Sequence, residues 1–472
     1  MFKIPKLLIS GPHRSAGKTT VTAGICGALK KRGMIVQPFK KGPDYIDPMW
    51  LSQSAGRQCR NLDFYMMGAI NILRSFQYAT KGANIAVTEG SLGLFDGLNE
   101  DGTDSTAELA KLTGSRVILV IDSTRMNRGI APLILGQMNF DTDLEISGVI
   151  LNKVASTRHE TKLLAAIKRY VGIEVLGVIP KMPNALGVKE RHLGLIPLKE
   201  DNALKKKIET MVETAEKNIN LNRVLEISNS APPIEAVKPL HLKTCPATVK
   251  IGIAIDRAFT FYYPDNIEAL EAEGAKIVPF SPMESKELPS VNALYIGGGF
   301  PEIFINQLEA NVSLRKQIKT AIENGLPVYA ECGGLMYLAR SITYNGLKKD
   351  MVAALPIDIE MTKKPTGLGY MALESTGKPK WFTPEGKLHC HEFHHSKAVN
   401  IDKNIQFAWK TLRGFGITGE RDGIIYKNVL ASYAHFHCCA VDTWAHDFVK
   451  LAKDTGISTG TVFQDDLIRN KR

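Results

Sequence analysis

The stretch that decides the fold of the first half is Leu7-Leu-Ile-Ser10, followed by Gly11-Pro-His-Arg-Ser-Ala-Gly17-Lys18-Thr19-Thr20. This stretch predicts a short apolar strand, then a loop with two glycines, then a helix. Such an arrangement directs backbone N–H groups at phosphate oxygens. Lys18 is expected to bridge the outer phosphates, and the Thr19 hydroxyl is expected to face Mg²⁺. We predict a nucleotide site at Gly11, Gly17, Lys18, Thr19 and Thr20, with a glycine-rich turn of no function as the alternative.

Short apolar runs alternate with longer helical stretches up to about residue 227. Continuous apolar strands separated by helices are typical of a parallel sheet covered on both faces. The sequence therefore predicts a doubly wound α/β domain over residues 1–227. Its predicted strands are Leu7–Ser10, Met34–Val36, Ile85–Thr88, Val117–Ile121, Gly148–Leu151 and Val175–Val178.

Two acidic residues follow strands of this domain. Asp44 lies just after the second strand, and Glu89 ends the third. The carboxyl ends of parallel strands meet at the ligand crevice, and oxygen ligands suit a hard cation. We predict that Thr19, Asp44 and Glu89 bind Mg²⁺, although acidic residues at strand ends also serve as helix caps.

Weaker signals mark further binding residues. Lys40, Tyr45 and Asp47, beside Asp44, are candidates for substrate contact. Ser105 either holds a substrate carboxylate or, as its position favours, caps the helix that follows. Asn152, at the end of a strand, is either a nucleotide-binding residue that reads the base or part of a turn.

A second α/β alternation follows a proline-rich stretch. Residues 228–248 contain turn formers with little periodicity and are predicted to be a linker. Strands are predicted at Val249, Ala293 and Pro327, and a strand-rich region from about Met351 to His446. We assign 249–450 to a second domain and 451–472 to a polar, frayed tail.

A cysteine on a sharp turn stands out in this second half. Val328-Tyr-Ala-Glu-Cys332-Gly333-Gly334 reads as strand, thiol, two glycines and helix, and a helix N-terminus favours thiolate. Gly299 in Gly297-Gly-Gly299, together with Gly333, offers N–H groups for an oxyanion hole. Ser432-Tyr-Ala-His435-Phe-His437 offers an imidazole base. A buried structural cysteine is the alternative.

Four histidines and one cysteine lie within residues 389–395. Imidazole and thiolate are metal ligands, but the spacing fits no common zinc pattern. A polar loop or a substrate contact is favoured over metal binding.

Composition narrows the class of protein. The chain has 472 residues, 44% hydrophobic and 23% charged, which predicts two globular domains. A net charge of +11 fits either ordinary solubility charge or an anionic partner, and no nucleic-acid-binding motif is present. The seven cysteines form no pairing pattern, and no apolar run approaches the ~20 residues of a membrane helix. We expect a cytoplasmic protein that binds neither nucleic acid nor membrane.

Taken together, these motifs resemble the cobyrinic acid a,c-diamide synthase family. The resemblance covers about residues 7–446 and includes the Glu-Cys-Gly-Gly and Ser-Tyr-x-His-x-His stretches. It implies an ATP-binding domain similar to dethiobiotin synthetase, whose phosphate loop shares the longer spacing found here. It further implies a glutamine amidotransferase domain in which Cys332 is the nucleophile and His435 the base. His437 stands where related amidotransferases carry an acidic residue, so the residue that orients His435 is left open.

The resemblance also implies the reaction. ATP would convert acetate carboxylates of a tetrapyrrole to acyl phosphates, and ammonia from glutamine would amidate them, with cobyrinate as the first substrate. Arg128–Gly136 and Arg158–Lys162 look more similar to the sirohaem-amidating branch, so sirohaem or nickel sirohydrochlorin is the alternative. The protein could also form a homodimer. An ATP-driven switch or partition protein is the remote alternative, and it leaves Cys332 without a role.

Overall fold

The computed structural model describes residues 1–181, 204–238, 245–379, 381–382, 384–460 and 462. The chain forms two compact units, and the boundary between them lies between residues 240 and 241. None of the described helices has the length and apolar character needed to cross a membrane.

The first unit is built on a seven-stranded sheet with the order β3-β2-β4-β1-β5-β6-β7. All neighbouring strands pair in parallel, which confirms the predicted doubly wound α/β class. The strands are β1 (Lys6–Ser10), β2 (Val36–Lys41), β3 (Arg60–Leu62), β4 (Ile85–Glu89), β5 (Arg116–Asp122), β6 (Ile146–Val154) and β7 (Val175–Pro180). The helices are α1 (Lys18–Lys31), α2 (Ile46–Ala55), α3 (Phe64–Ala79), α4 (Thr106–Thr113), α5 (Ile130–Phe140), α6 (Thr157–Tyr170), α7 (Leu204–Asn218) and α8 (Leu221–Asn229).

The central strands are buried on both faces, as their continuous apolar sequences require. Every residue of β1 and β4 is buried. Leu7 and Ile9 pack in one cluster with Val21 and Ile25 of α1. This packing fixes the carboxyl end of β1 beside the start of α1.

The second strand differs from its prediction at Met34–Val36. It begins at Val36 and continues through the buried residues Lys40 and Lys41. Residues 32–35 instead form the turn that ends α1, where Gly33 has a φ of 82°. The strand continues through lysines because acidic residues from other elements lie near them in space.

The second unit contains a nine-stranded sheet with the order β10-β8-β11-β13-β22-β21-β20-β17-β18. It is parallel from β10 to β22 and antiparallel beyond. Smaller sheets have the orders β12-β9 and β15-β14-β16-β19. The strands are β8 (Val249–Ala254), β9 (Phe259–Phe261), β10 (Ala275–Phe280), β11 (Ala293–Ile296), β12 (Gly298–Gly299), β13 (Val328–Glu331), β14 (Ser341–Tyr344), β15 (Leu347–Asp350), β16 (Asp358–Met361), β17 (Gly367–Ser375), β18 (Lys387–His394), β19 (Ser396–Val399), β20 (Gln406–Arg413), β21 (Arg421–Tyr426) and β22 (Val429–Ser432).

Helices of this unit cover the parallel part of the sheet, and two buried clusters form its core. The helices are α9 (Pro264–Ala272), α10 (Ile305–Ala310), α11 (Val312–Glu323), α12 (Gly333–Leu338) and α13 (Trp444–Asp454), with a 3-10 turn at Pro301–Phe304.

Three predicted boundaries are corrected. α8 runs past residue 227 to Asn229, and Ser228 is buried within the first unit, so the predicted linker does not begin at 228. The strand-rich region ends at Ser432, well before His446, which lies in α13. The predicted tail from 451 is structured at its start, because α13 continues to Asp454 and the buried Thr459 side chain donates to the Pro289 carbonyl at 2.6 Å.

Candidate functional site

The phosphate loop lies between β1 and α1. Gly17 has a φ of 93°, and a Cβ there would lie 2.1 Å from Asn152 Nδ2, so a side chain would be strained and would displace Asn152. Asn152 Nδ2 donates to the Ala16 carbonyl at 2.9 Å and thereby holds the loop in place. Gly17 supplies no side-chain cap to α1, so the N–H groups of the first turn, at Thr19 and Thr20, can face an anion.

Lys18 folds back across this loop. Its Nζ donates to the carbonyls of His13 at 3.0 Å and Leu92 at 2.6 Å. Burial and the charge of Lys40 lower the pKa of Lys18 to about 8. When a phosphate binds, Lys18 would leave these two carbonyls and pair with the negatively charged phosphate oxygens.

Thr19, Glu89 and Lys40 form a polar network beside the loop, in which Glu89 and Lys40 are buried and Thr19 is half-buried. Thr19 Oγ1 donates to Glu89 Oε1 at 2.7 Å, and Lys40 Nζ lies 2.8 Å from the same oxygen and 2.6 Å from Asp47 Oδ2. Burial raises the pKa of Glu89, although Lys40 and Thr19 oppose the shift. Burial lowers the pKa of Lys40, but Asp47, Glu89 and Asp44 outweigh it and raise that pKa.

Glu89 also has an oxygen that could bind a cation. Among the described residues, its Oε2 is buried without a hydrogen-bond partner. A buried oxygen of this kind, close to the Thr19 hydroxyl, fits a hard cation such as Mg²⁺. The structure thus brings Thr19 and Glu89 together, as the sequence predicted.

Asp44, Tyr45 and Ser105 have evident structural roles. Asp44 Oδ1 accepts the N–H groups of Ile46 at 2.7 Å and Asp47 at 2.9 Å, and so caps α2. Burial and the neighbouring Asp47 raise the pKa of Asp44 to about 7. Tyr45 is buried just before α2. Ser105 Oγ accepts the Glu108 N–H at 3.2 Å and caps α4, which is the interpretation that its position favoured.

Cys332 lies on the sharp turn between β13 and α12. Its φ of 47° and ψ of −100° are strained for a residue with a side chain, at a cost of about 1–3 kcal/mol. Its N–H donates to the Ser432 carbonyl at 2.7 Å, and its Sγ lies 3.5 Å from the Phe393 carbonyl. Burial raises the pKa of the thiol, and the nearby Glu302 adds to this, so the expected stabilisation of the thiolate by the six-residue α12 is outweighed. The thiol therefore needs a base.

Glu331 is the acidic residue that lies beside His435, so it is the candidate for the orienting group that the sequence left open. Its Oε2 lies 3.4 Å from His435 Nδ1, and both side chains are buried. The phenol of Tyr329 donates to Glu331 Oε1 at 2.7 Å, and the phenol of Tyr295 donates to Oε2 at 3.2 Å. The Phe436 N–H donates to Oε1 at 3.2 Å. The sequence does contain one indication of this partner. Glu331 follows the apolar run Val328-Tyr-Ala, and a carboxylate buried at the end of such a strand needs a partner because burying it alone would be costly.

The predicted oxyanion-hole residues lie close together. A Cβ on Gly333 would lie 3.1 Å from the Gly299 nitrogen, and one on Gly298 would lie 2.6 Å from His435 Cε1. Gly299 has a φ of 154°, and a Cβ on it would lie 2.0 Å from the Ala258 carbonyl, so only glycine fits. The N–H groups of Gly299 and Gly333, the thiol and the imidazole thus belong to one region.

The histidine-rich stretch is not a loop, which corrects the prediction. Residues 387–394 form β18, whose side chains alternate between faces. Cys390 is buried, whereas His389 is exposed. Within the described residues, the group of three metal-ligating side chains that lies close together is instead His437, Cys438 and Cys439.

The two halves of the chain match two different protein families. The family described as "CobQ/CobB/MinD/ParA nucleotide binding domain" matches residues 7–196. The family described as "CobB/CobQ-like glutamine amidotransferase domain" matches residues 250–442. These ranges contain the phosphate loop and the Cys332 turn, respectively.

Similar proteins cover nearly the whole chain. A cobyrinate a,c-diamide synthase of Magnetococcus marinus is 43% identical, over 96% of this chain and 98% of its own length. Relatives with the same name from Methanosarcina acetivorans and Methanosarcina barkeri are 42% and 40% identical. Each of these two alignments covers at least 95% of both proteins.

Proposed function

Because the chain belongs to the cobyrinate a,c-diamide synthase family, we propose that it amidates the a- and c-acetate carboxylates of cobyrinate. It is a glutamine-dependent amide-forming ligase with a nucleotide-binding half. The observation that carries the proposal is the buried Glu331–His435 pair, 3.4 Å apart, next to the strained Cys332 turn. We assign ATP-dependent activation to residues 1–227 and glutamine hydrolysis to residues 249–450.

Glutamine hydrolysis begins with His435, which removes the proton from the Cys332 thiol. Glu331 accepts the Nδ1–H and stabilises the imidazolium. The sulfur attacks the side-chain amide carbon, and the N–H groups of Gly299 and Gly333 stabilise the oxyanion. The C–N bond then breaks, His435 returns the proton, and ammonia leaves a thioester. Water hydrolyses the thioester to glutamate and regenerates the thiol.

The first unit then activates the acceptor. A side-chain carboxylate oxygen attacks the γ-phosphorus of ATP, ADP leaves, and an acyl phosphate forms. Ammonia attacks the acyl carbon, inorganic phosphate leaves, and the amide remains. Lys18 and the N–H groups of the first turn of α1 hold the outer phosphates. Thr19 and Glu89 Oε2 are the residues proposed to hold Mg²⁺, which would neutralise phosphate charge when bound; Asp44 stays a predicted ligand.

The substrate is a polycarboxylate, for which the net charge of +11 is suited. Sirohaem and nickel sirohydrochlorin carry the same acetate side chains and remain alternative acceptors. Lys40 and Asp47 stay candidates for substrate contact, although each already neutralises the other. Cytoplasmic location is also part of the proposal, because all cysteines among the described residues are free thiols.

A crossed assay with Cys332→Ala and Lys18→Met tests the division of labour. Amide formation is measured with glutamine or ammonium as nitrogen source, and glutaminase activity is measured separately. Cys332→Ala should lose ~10³-fold or more of glutamine-driven amidation and all glutaminase activity, but keep ammonium-driven amidation. Lys18→Met should lose amidation from both sources yet keep glutaminase activity.

Lys31→Met is the matched control for the lysine, because Lys31 forms an exposed ion pair with Glu216 at 2.8 Å. It should behave like the wild type. Loss of ammonium-driven amidation in Cys332→Ala would contradict the proposal. Running the assay with cobyrinate, sirohaem and nickel sirohydrochlorin in parallel identifies the acceptor.

A further inference from the structure

We propose that His437, Cys438 and Cys439 form a binding site for a thiophilic divalent cation of the Zn²⁺ type. Their ligand atoms, one imidazole nitrogen and two sulfurs, lie within 4.8 Å of one another. Sulfur and imidazole nitrogen are the preferred ligands of zinc. The glutamine hydrolysis described above uses none of these three side chains.

The site is built on a short turn that is held in place. The Ala440 N–H donates to the His437 carbonyl at 2.8 Å, which closes the turn. Asn266 of α9 holds both of its sides, because its Nδ2 donates to the Phe436 carbonyl at 2.7 Å and its Oδ1 accepts the Cys438 N–H at 2.7 Å. The backbone that carries the ligands is therefore fixed before any cation binds.

His437 has a carboxylate near its distal nitrogen, as metal-binding histidines commonly do. The side chain is fully buried, and its Nε2 lies 3.9 Å from Asp265 Oδ2, an ion-pair distance longer than a hydrogen bond. A carboxylate on this side of a ligand histidine increases the basicity of the ring, and a small approach would complete the hydrogen bond that fixes it. The other nitrogen, Nδ1, faces the cysteines, because it accepts the Cys439 N–H at 3.2 Å. A cation at Nδ1 would replace this weak contact.

The geometry leaves one coordination position open. Tetrahedral zinc, with Zn–S bonds of about 2.3 Å, keeps its ligands roughly 3.8 Å apart, so small side-chain rotations complete the site. Cys438 and Cys439 are partly exposed, so a cation can enter and a water molecule can be the fourth ligand.

Cobalt binding to the full-length protein tests the site without ATP, glutamine or tetrapyrrole, so the result does not depend on the proposed function. The protein is reduced, treated with a chelator and titrated with Co²⁺ under nitrogen. We expect one Co²⁺ per chain, with the thiolate charge-transfer band and the visible bands of a tetrahedral site, and displacement by Zn²⁺. Absence of these bands in the wild type would overturn the proposal.

Variants locate the bound ion. Cys438→Ser and Cys439→Ser should each weaken Co²⁺ binding at least tenfold, and Asp265→Asn should weaken it ~10–100-fold. Cys245→Ser, at an exposed cysteine, and Cys332→Ala should bind as the wild type does. A band that survives in both serine variants, or that disappears in Cys332→Ala, places the ion elsewhere and refutes the assignment.

Alkylation of the wild type gives a readout that needs no variant. Zn²⁺ should protect Cys438 and Cys439 from iodoacetamide at least tenfold, as measured by peptide mapping, while Cys245 reacts at an unchanged rate. Equal alkylation of Cys438 and Cys439 with and without Zn²⁺ would argue against coordination by these thiols.

Discussion

The phosphate site and the thiol site place reactive groups in a buried environment, but they treat electric charge in opposite ways. Both lie at the carboxyl ends of parallel strands, next to the start of a helix. In the phosphate site, buried charges neutralise each other, as in the contact of Lys40 with Glu89 at 2.8 Å. In the thiol site, Cys332 is kept uncharged by burial, and its backbone is strained. The first site is thus prepared to receive charge, and the second must create its charge during the reaction.

Replacing Glu331 by Gln tests this contrast most strongly. The amide keeps the shape of the side chain but cannot stabilise an imidazolium at His435, which is 3.4 Å away. We expect kcat of glutaminase to fall ~10²–10⁴-fold, while ammonium-driven amidation is unchanged. Steady-state kinetics with each nitrogen source measures both effects.

Glu323→Gln is the control for this variant, because Glu323 forms a surface ion pair with Lys427 at 2.7 Å. It should leave glutaminase kinetics as in the wild type. If Glu331→Gln also kept its kcat, the thiol site would not depend on charge made during the reaction, and the contrast between the two sites would fail.

The pH dependence of nucleotide binding tests the phosphate site. Burial and Lys40 lower the pKa of Lys18 to about 8, while Glu89, Asp47 and Asp96 oppose the shift. Below pH 8 Lys18 is charged and can pair with phosphate; above it the charge is lost. The affinity for a non-hydrolysable ATP analogue should therefore fall as pH rises through 8, by up to about tenfold per pH unit.

Calorimetric titrations between pH 7 and pH 9.5 give this profile. In Lys18→Met the fall above pH 8 should disappear. A wild-type affinity that stays constant to pH 9.5 would mean that Lys18 keeps its charge, and that the phosphate site resists deprotonation better than its burial indicates.

The two sites also differ in what their sequences predicted. The loop before Lys18 and the turn at Cys332 are local arrangements of strand, glycine and helix, so both could be read from short stretches. The pairing of Glu331 with His435 could not, because it depends on β13 lying beside β22 in the register that places Glu331 opposite Ser432, 101 residues later. The extent of β2 depends partly on a distant partner as well, since buried Lys40 contacts Glu89, 49 residues away, in addition to Asp47, seven residues away.

The smallest expected effect concerns Ser105, which the sequence left between substrate contact and helix cap. Its Oγ accepts the Glu108 N–H at 3.2 Å, and its side chain is buried. Ser105→Ala should lower the free energy of unfolding of the first unit by about 1 kcal/mol, because the first turn of α4 loses a partner. Urea denaturation measures this loss, and the KM for the tetrapyrrole should stay unchanged. Ser105→Asp, which also caps helices, should recover the stability. If instead the KM for the tetrapyrrole rose tenfold in Ser105→Ala at unchanged stability, this hydroxyl would be part of the acceptor site. The first unit would then bind its substrate with neutral groups as well as charged ones.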